Sequence, residues 1–297
     1  MIALLRRWGE LVTFSHTIFM MPFAAAAVVL ALPLPHAPMT PLRLLAMVGC
    51  MITARSSAMA FNRWADRDVD AKNPRTKNRP LVRAAGRIGA GEALALTIAA
   101  GLAFCGLAWT LGRWPGLLAP PVLAILLGYS YAKRFTWAAH GWLGLALALA
   151  PGGAWIGVGA APGLGIVLLM VAVLSWLFGF DVLYALQDEH FDRKEGLHSV
   201  PARFGTKRAL LMAAAAHVVT VGALAGTGLV LHRGAVFFGG VAVVAVVLIV
   251  EHRLVRPKDK SSGAAVDFAR IGKAFFDCNA YVSLGFFATT AIDAALR

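Results

Sequence analysis

Long apolar segments alternate with short polar segments along the chain. Most of the apolar segments hold about 20 residues, which is the length that an α-helix needs to cross a bilayer. The uncharged run 141–180 is interrupted by Ala161, Pro162 and Gly163, so it predicts two helices. After a short amphipathic lead at 1–10, the pattern predicts nine spans, at approximately 11–32, 42–63, 93–112, 114–132, two within 141–180, 208–231, 234–252 and 274–295.

The composition is that of a membrane protein. The 297 residues are 59% hydrophobic and only 14% charged, whereas soluble domains have about 25% charged residues. A formal net charge of +13 would indicate nucleic acid as a partner of a soluble protein. Here the charges lie between apolar segments, so we expect the lipid bilayer as a partner and no nucleic acid. We predict an all-α, polytopic membrane protein with about nine transmembrane helices, in which 1–297 form a single domain.

The basic residues predict the orientation of the chain. All but five of the 28 lysines and arginines lie in the N-terminal lead and in the loops after the second, fourth, sixth and eighth spans. Nine spans place these segments on one side of the membrane, and an excess of Lys and Arg is typical of the cytoplasmic side. The N-terminus and the polar segments 64–91 and 182–207 are therefore predicted to be cytoplasmic.

The first polar segment with a recognisable chemistry follows the second span. Asn62, Asp66 and Asp70 are spaced four residues apart, so a helix that continues from the span carries all three on one face, with Asp68 roughly opposite. We expect the helix to end before Pro74, because the residue preceding proline avoids helical conformation. A face of carboxylates followed by basic residues is typical of Mg²⁺ that holds a phosphorylated group.

A second segment has the same layout after the sixth span, which we expect to continue as a helix to near Gly196. Asp188, Asp192 and Lys194 repeat the spacing of Asp66, Asp70 and Lys72. The alternative interpretation is that both segments are solvated helix ends of mixed charge. Two matching motifs at membrane exits favour one metal site built between two helices, with Asn62 and the four aspartates as ligands.

A lipid diphosphate would satisfy both the acidic motifs and the apolar surroundings. Its headgroup would bind Mg²⁺ at the cytoplasmic exit, and its tail would lie among the spans. Lys72, Arg79 and Lys194 are candidates to neutralise the remaining diphosphate charge. Alternatively, each of these basic residues only contributes to the membrane topology of the chain and does not contact the diphosphate.

Arg55 lies inside the second span, where a charge is costly and usually marks function. It precedes Asn62 by seven residues, which places it on the same helix face about 10 Å deeper. Asp181 stands at the matching position, seven residues before Asp188. Arg55 either binds an anionic acceptor molecule or forms a buried salt bridge with Asp181, and the sequence leaves both interpretations open.

At these residues the chain resembles the UbiA-type membrane prenyltransferases, and the resemblance extends over nearly the whole sequence. The signatures of that family are N-x3-D-x3-D and a later D-x3-D, which here are Asn62/Asp66/Asp70 and Asp188/Asp192. The flanking segments are also similar, namely NRP at 78–80, YSYAKRFTW at 129–137 and DVLYALQDEHFDRKEGLHSVPARFG at 181–205. Arg63 follows Asn62 where some family members have Asp, which removes one possible additional metal ligand.

The resemblance implies a fold and an activity. The implied fold is nine helices around a central cavity in a bacterial inner membrane, and the implied cofactor is Mg²⁺. The implied reaction transfers a polyprenyl chain from a polyprenyl diphosphate to a small aromatic acid, such as 4-hydroxybenzoate or the larger acceptor of the futalosine route, in ubiquinone or menaquinone biosynthesis. Arg55, Lys133 and Arg134 are candidates to bind the carboxylate of the acceptor.

Two other functions remain open at this point. A transporter could use acidic coupling sites, although transporters usually carry them near the middle of the bilayer, whereas these acids cluster at one face. A family member could also act on another acceptor, such as a porphyrin. A phosphatidyl-alcohol transferase is disfavoured because its Asp-Gly pair is not found near the acids.

Overall fold

The computed structural model describes residues 20–79, 81, 88–255 and 277–297, and all regular structure in these ranges is helical. The amphipathic lead at 1–10 and the first part of the predicted first span lie outside the described residues. The helices are α1 (Met21–Ala31), α2 (Pro41–Lys72), α3 (Ala90–Leu111), α4 (Arg113–Ala132), α5 (Ala139–Val158), α6 (Leu164–Ala185), α7 (Glu189–Lys194), α8 (Val200–Val230), α9 (Ala235–Val255) and α10 (Asn279–Ala295).

The helices occupy the nine apolar segments that the sequence pattern predicts. Among the described residues, seven helical segments are long and apolar enough to cross a membrane: α2, α3, α4, α5, α8, α9 and the segment Leu164–Lys194. The shorter α1 and α10 lie in the predicted first and ninth spans. The predicted fold class, an all-α multi-pass membrane protein, is confirmed.

The chain forms two compact units, which divide the predicted site residues between them. The first unit comprises Pro38–Tyr131 and Gly157–Gly159, and the second comprises the described residues of Phe19–Ala37, Ala132–Ile156 and Ala160–Arg297. The first acidic motif belongs to the first unit and the second acidic motif to the second unit. The expectation of a single domain stays a prediction.

Small residues bring the helices of the first unit into close contact. The hydroxyl of Ser57 on α2 donates to the carbonyl of Thr97 on α3 at 2.8 Å. A Cβ atom at Gly101 would lie 3.0 Å from the side chain of Leu123 on α4. Such small residues let helix backbones approach where no hydrophobic effect drives association within lipid.

The second unit is centred on α6, whose residues are largely buried. The hydroxyl groups of Ser175 on α6 and Thr220 on α8 lie 2.9 Å apart. The ring of Phe23 on α1 packs against Trp176 of α6 and Phe286 of α10, with ring centroids 5.0 and 5.2 Å apart. This core fixes the end of α6, from which the second acidic motif extends.

The exit from α6 differs from the predicted uninterrupted helix. The α-helix ends at Ala185, a 3₁₀ turn covers Leu186–Asp188, and the short α7 carries the rest of the motif. The chain then turns at Gly196, whose φ of +68° favours glycine. The predicted end near Gly196 is therefore confirmed, but the change to a 3₁₀ turn within the motif was not predicted.

Candidate active site

The end of α2 presents the first acidic motif as the spacing predicts. The amide nitrogen of Asn62 donates to Asp66 Oδ2 at 2.8 Å and to the hydroxyl of Ser130 on α4 at 3.4 Å. Asp70 is buried, whereas the side chain of Asp68 is 83% exposed on the opposite side of the helix. Asn62 thus orients the Asp66 carboxylate and connects it with α4.

The turn that follows α2 brings a basic residue back to the motif. Asn73 adopts an extended conformation and ends the helix before Pro74, as predicted. Its side-chain oxygen accepts the N–H of Arg75, and the hydroxyl of Thr76 donates to the Asp70 carbonyl. The reversed chain places Arg79 Nη1 at 2.7 and 2.9 Å from the two carboxylate oxygens of Asp70.

Several other polar groups of the first unit interact with this motif. The phenol of Tyr129 on α4 interacts electrostatically with Asp66, Arg63 and Arg55. Arg63 also interacts with Asp70 and Arg79. Lys72 is exposed at the end of α2.

The second acidic motif is more deeply buried than the first. Asp188 and Asp192 are 6% and 3% exposed, respectively. The ammonium of Lys133, in the turn after α4, lies 3.9 Å from Asp192 Oδ2, and the Ser199 side chain forms a hydrogen bond with Asp192. Lys194 and Arg134 are exposed. Of the predicted basic residues, Lys133 places its ammonium within 4 Å of this motif.

Asp181 on α6 forms a close contact with a histidine. Its Oδ2 lies 2.7 Å from Nδ1 of His140, the second residue of α5. The His140 side chain is completely buried. The sequence analysis considered Arg55 as a salt-bridge partner of Asp181 and did not predict the contact with His140. A salt bridge between Arg55 and Asp181 stays a hypothesis.

The ligand atoms present are suited to Mg²⁺ held together with a phosphate group. Within the described ranges, no three carboxylate, imidazole or thiol groups lie close enough to hold a metal ion by themselves. Mg²⁺ often needs only one or two protein carboxylates, because water and substrate phosphates supply its other ligands. Among the residues that the structure describes, none forms a hydrogen bond with the buried Asp192 Oδ2 atom, which suits an oxygen that binds a cation.

The acidic motifs lie within a segment that matches a known family. The sequence model of the UbiA prenyltransferase family matches residues 19–274. The chain belongs to this family. The predicted class of enzyme, a prenyltransferase, is thereby confirmed, and the transporter interpretation loses its support.

Two similar curated proteins carry the same functional name. The chain is 35% identical to the 4-hydroxybenzoate octaprenyltransferase of Nitrosomonas europaea over 216 residues, which cover 71% of each protein. It is 32% identical to the protein of the same name from Aromatoleum aromaticum, over 82% of this chain and 78% of that protein.

Solved structures of UbiA homologues share the fold. An apo structure from Aeropyrum pernix K1 is 32% identical, with a TM-score of 0.80 over 94% of this chain and 98% of that one. A homologue from Archaeoglobus fulgidus, bound to GPP and Mg²⁺, is 19% identical and has a TM-score of 0.69, over 96% of this chain and 99% of that one. The second likeness shows the fold alone.

Sequence reasoning missed several polar residues that contact the predicted UbiA site residues or one another. Ser130 contacts Asn62, Tyr129 interacts with Asp66, and Ser199 contacts Asp192. Tyr129 and Ser130 lie in the YSYAKRFTW segment, and His140 follows it by three residues. These residues could have been predicted from the sequence, because polar residues interrupt the apolar pattern at the ends of α4, α5 and α8.

Proposed function

We propose that the protein transfers a polyprenyl chain from a polyprenyl diphosphate to an aromatic acid in quinone biosynthesis. The proposal depends on the carboxylates that lie at the ends of two long apolar helices. The similar proteins reported above are named 4-hydroxybenzoate octaprenyltransferases, which supports the same activity. The apolar helices suit a polyprenyl tail, and the carboxylates suit a metal-bound diphosphate.

In this proposal the two acidic motifs hold the donor headgroup. Asn62, Asp66, Asp70, Asp188 and Asp192 bind Mg²⁺, which when bound would withdraw electrons from the diphosphate and make it a better leaving group. Lys72, Arg79 and Lys194 neutralise the phosphate oxygens that the metal leaves uncovered. Arg79 is held by Asp70 through one amino group, so its remaining guanidinium donors are the ones assigned to the diphosphate.

The chemical step needs orientation and the exclusion of water. The allylic C–O bond of the donor breaks, and an electron-rich carbon of the aromatic ring attacks the resulting cationic centre and then loses its proton. Water would capture the same centre. The apolar surfaces of the helices exclude water, and the buried charges orient the two substrates before reaction.

The acceptor is held by basic residues through its carboxylate. Arg55 is the first candidate because it lies about 10 Å deeper than Asn62 on the same helix. Lys133 and Arg134 are alternatives, and Lys133 is already close to Asp192. Both the 4-hydroxybenzoate route to ubiquinone and the futalosine route to menaquinone supply carboxylated aromatic acceptors, so the quinone is left open.

The enzyme is proposed to lie in a bacterial inner membrane with its N-terminus and both acidic motifs in the cytoplasm. The bias of basic residues toward one set of loops supports this orientation. It would let the soluble acceptor and the diphosphate headgroup enter from the same side.

The proposed activity is tested with membranes that contain the protein and radiolabelled polyprenyl diphosphate. The two aromatic acids are offered separately, each with Mg²⁺ and with excess EDTA. We expect labelling of one acid, loss of labelling in EDTA and recovery when Mg²⁺ is restored. Donor bound without transfer to either acid would exclude these acceptors and direct the search to others, such as a porphyrin.

A further inference from the structure

The hydrogen bonds of His140 define which ring nitrogen carries a proton. Its Nε2 lies 3.2 Å from the backbone nitrogen of Val200, at the start of α8. A backbone N–H can only donate, so Nε2 accepts this bond and the proton of the neutral ring is on Nδ1. The Nδ1–H group then donates to Asp181 Oδ2 at 2.7 Å.

The accessible member of this pair is the carboxylate. The His140 side chain is 0% exposed, whereas that of Asp181 is 19% exposed. Asp181 precedes Asp188 by seven residues, across the last turn of α6 and the 3₁₀ turn, so it lies roughly 10 Å further into the span than Asp188. A carboxylate at this depth in a membrane span is costly and indicates a functional site, because a purely packing role needs no charge.

Three consecutive residues join this pair to the second acidic motif. The N–H of His198 donates to the Lys133 carbonyl at 2.6 Å. Ser199 bonds to Asp192, and Val200 donates to His140. The start of α8 therefore has fixed contacts with residues at both depths, one near the proposed diphosphate position and one near Asp181.

We propose that Asp181 belongs to the acceptor site, where its carboxylate accepts a hydrogen bond from the hydroxyl group of the aromatic acceptor. His140 is the positioning residue that orients this carboxylate. The proposal rests on the proposed function, since it names a contact within the same reaction. A hydroxyl that donates to a carboxylate gives more electron density to its ring. The same negative charge repels the carboxylate of the acceptor, so the two ends of the acceptor are distinguished.

The test compares 4-hydroxybenzoate with benzoate, which has the carboxylate but lacks the hydroxyl. Titration calorimetry on the detergent-purified full chain gives the affinity ratio of the two ligands. We expect wild-type protein to prefer the hydroxylated ligand by roughly tenfold or more, because hydrogen bonds to charged groups are strong. In Asp181→Leu the ratio should fall to near one, and in Asp181→Asn it should be intermediate.

A matched control separates this contact from a general effect of removing a buried carboxylate. Glu251 on α9 is also buried and in the second unit, where it accepts a hydrogen bond from Asn279. Glu251→Gln should keep the wild-type ratio. A ratio unchanged in both Asp181 variants, with intact thermal unfolding, would overturn the proposal.

The positioning role of His140 has its own readout. His140→Phe should raise the acceptor KM about tenfold and leave the diphosphate KM within about twofold, while His140→Asn, which keeps a donor near the Nδ1 position, should recover part of the loss. Equal changes in both KM values, with no recovery in His140→Asn, would indicate a structural role only.

If wild-type protein transfers prenyl groups to no hydroxylated aromatic acid, the proposed function itself fails. If transfer occurs but the affinity ratio of 4-hydroxybenzoate to benzoate is unchanged in the Asp181 variants, only this inference fails.

Discussion

At the scale of single residues, the two acidic motifs differ in how their charges are balanced. Asp66 and Asp70 have amide and guanidinium partners on their own unit, namely Asn62 and Arg79. Asp188 and Asp192 are close to one another in sequence and largely buried, and the ammonium of Lys133 lies 3.9 Å from Asp192 Oδ2. A buried carboxylate is costly unless cations or hydrogen-bond donors compensate its charge, which is the electrostatic reason to propose a metal ion at this motif.

The first prediction concerns these carboxylates. Asp66→Asn and Asp192→Asn should each lower transfer by about 10²-fold or more, since a ligand charge that stabilises the leaving group is lost. Transfer is measured on purified protein, and thermal unfolding shows whether the fold persists. Asp68→Asn is the matched control, because Asp68 is on the same helix but exposed. Turnover near normal in the first two variants would contradict the metal-site assignment.

The second prediction concerns Arg55. Arg55→Ala should raise the acceptor KM by roughly tenfold or more, with a smaller effect on the diphosphate KM, because a guanidinium binds a carboxylate through charge-assisted hydrogen bonds. Steady-state kinetics with each substrate varied in turn gives the two values. An equal loss for both substrates, accompanied by a lower melting temperature, would instead support the salt-bridge interpretation.

At the scale of elements, charged side chains compensate the backbone groups at helix ends. Arg43, near the start of α2, donates to the carbonyls of Leu111, which ends α3, and Gly157, with distances of 2.7 and 2.8 Å. Asp293 of α10 accepts the N–H groups of Gly234 and Phe237 at the start of α9. Both arrangements satisfy backbone groups that a helix end leaves without partners, and both place charge favourably on the helix dipole.

A third prediction follows for Arg43. Arg43→Ala should destabilise the fold by roughly 1.5–3 kcal/mol, because it removes hydrogen bonds from a charged donor and leaves two carbonyl groups without them. The melting temperature in detergent should fall, while transfer per folded molecule stays near normal. Arg113→Ala is the comparison, since Arg113 is an exposed arginine at the start of α4, and its loss should change stability by less than about 0.5 kcal/mol. Equal stability of both variants would contradict the capping role.

At the scale of the whole molecule, the loops that alternate between long helices should lie on opposite sides of the membrane. Lys194 follows the sixth span and Arg113 follows the third, and both side chains are exposed. In the proposed orientation, which rests on the excess of basic residues, the loop of Lys194 is cytoplasmic and that of Arg113 is on the other side.

The fourth prediction tests this orientation. Lys194→Cys and Arg113→Cys are each made in a chain whose three native cysteines are replaced by serine. A membrane-impermeant maleimide applied to intact cells should label the cysteine at position 113 and leave the one at 194 unlabelled until the membrane is opened. The reverse pattern would place the acidic motifs outside the cytoplasm and contradict the proposed localisation.

The sequence by itself determined the helices and the spacing of the acidic residues. Spans follow from runs of about 20 apolar residues, because a helix must bury its own backbone groups in lipid. The end of α2 follows from Asn73 and Pro74, because proline restricts the residue before it. The shared face of Asn62 and Asp66 follows from the period of the helix, and family resemblance supplied the class of reaction.

Tertiary structure decided which residues from distant segments meet. His140 and Asp181 are 41 residues apart, and their hydrogen bond exists because α5 and α6 pack with these two positions in contact. The contact of Lys133 with Asp192 and the return of Arg79 to Asp70 likewise depend on the paths of turns. Periodicity is a property of one helix, so it predicts neighbours along that helix; partners on other segments are set by packing, which no local pattern records.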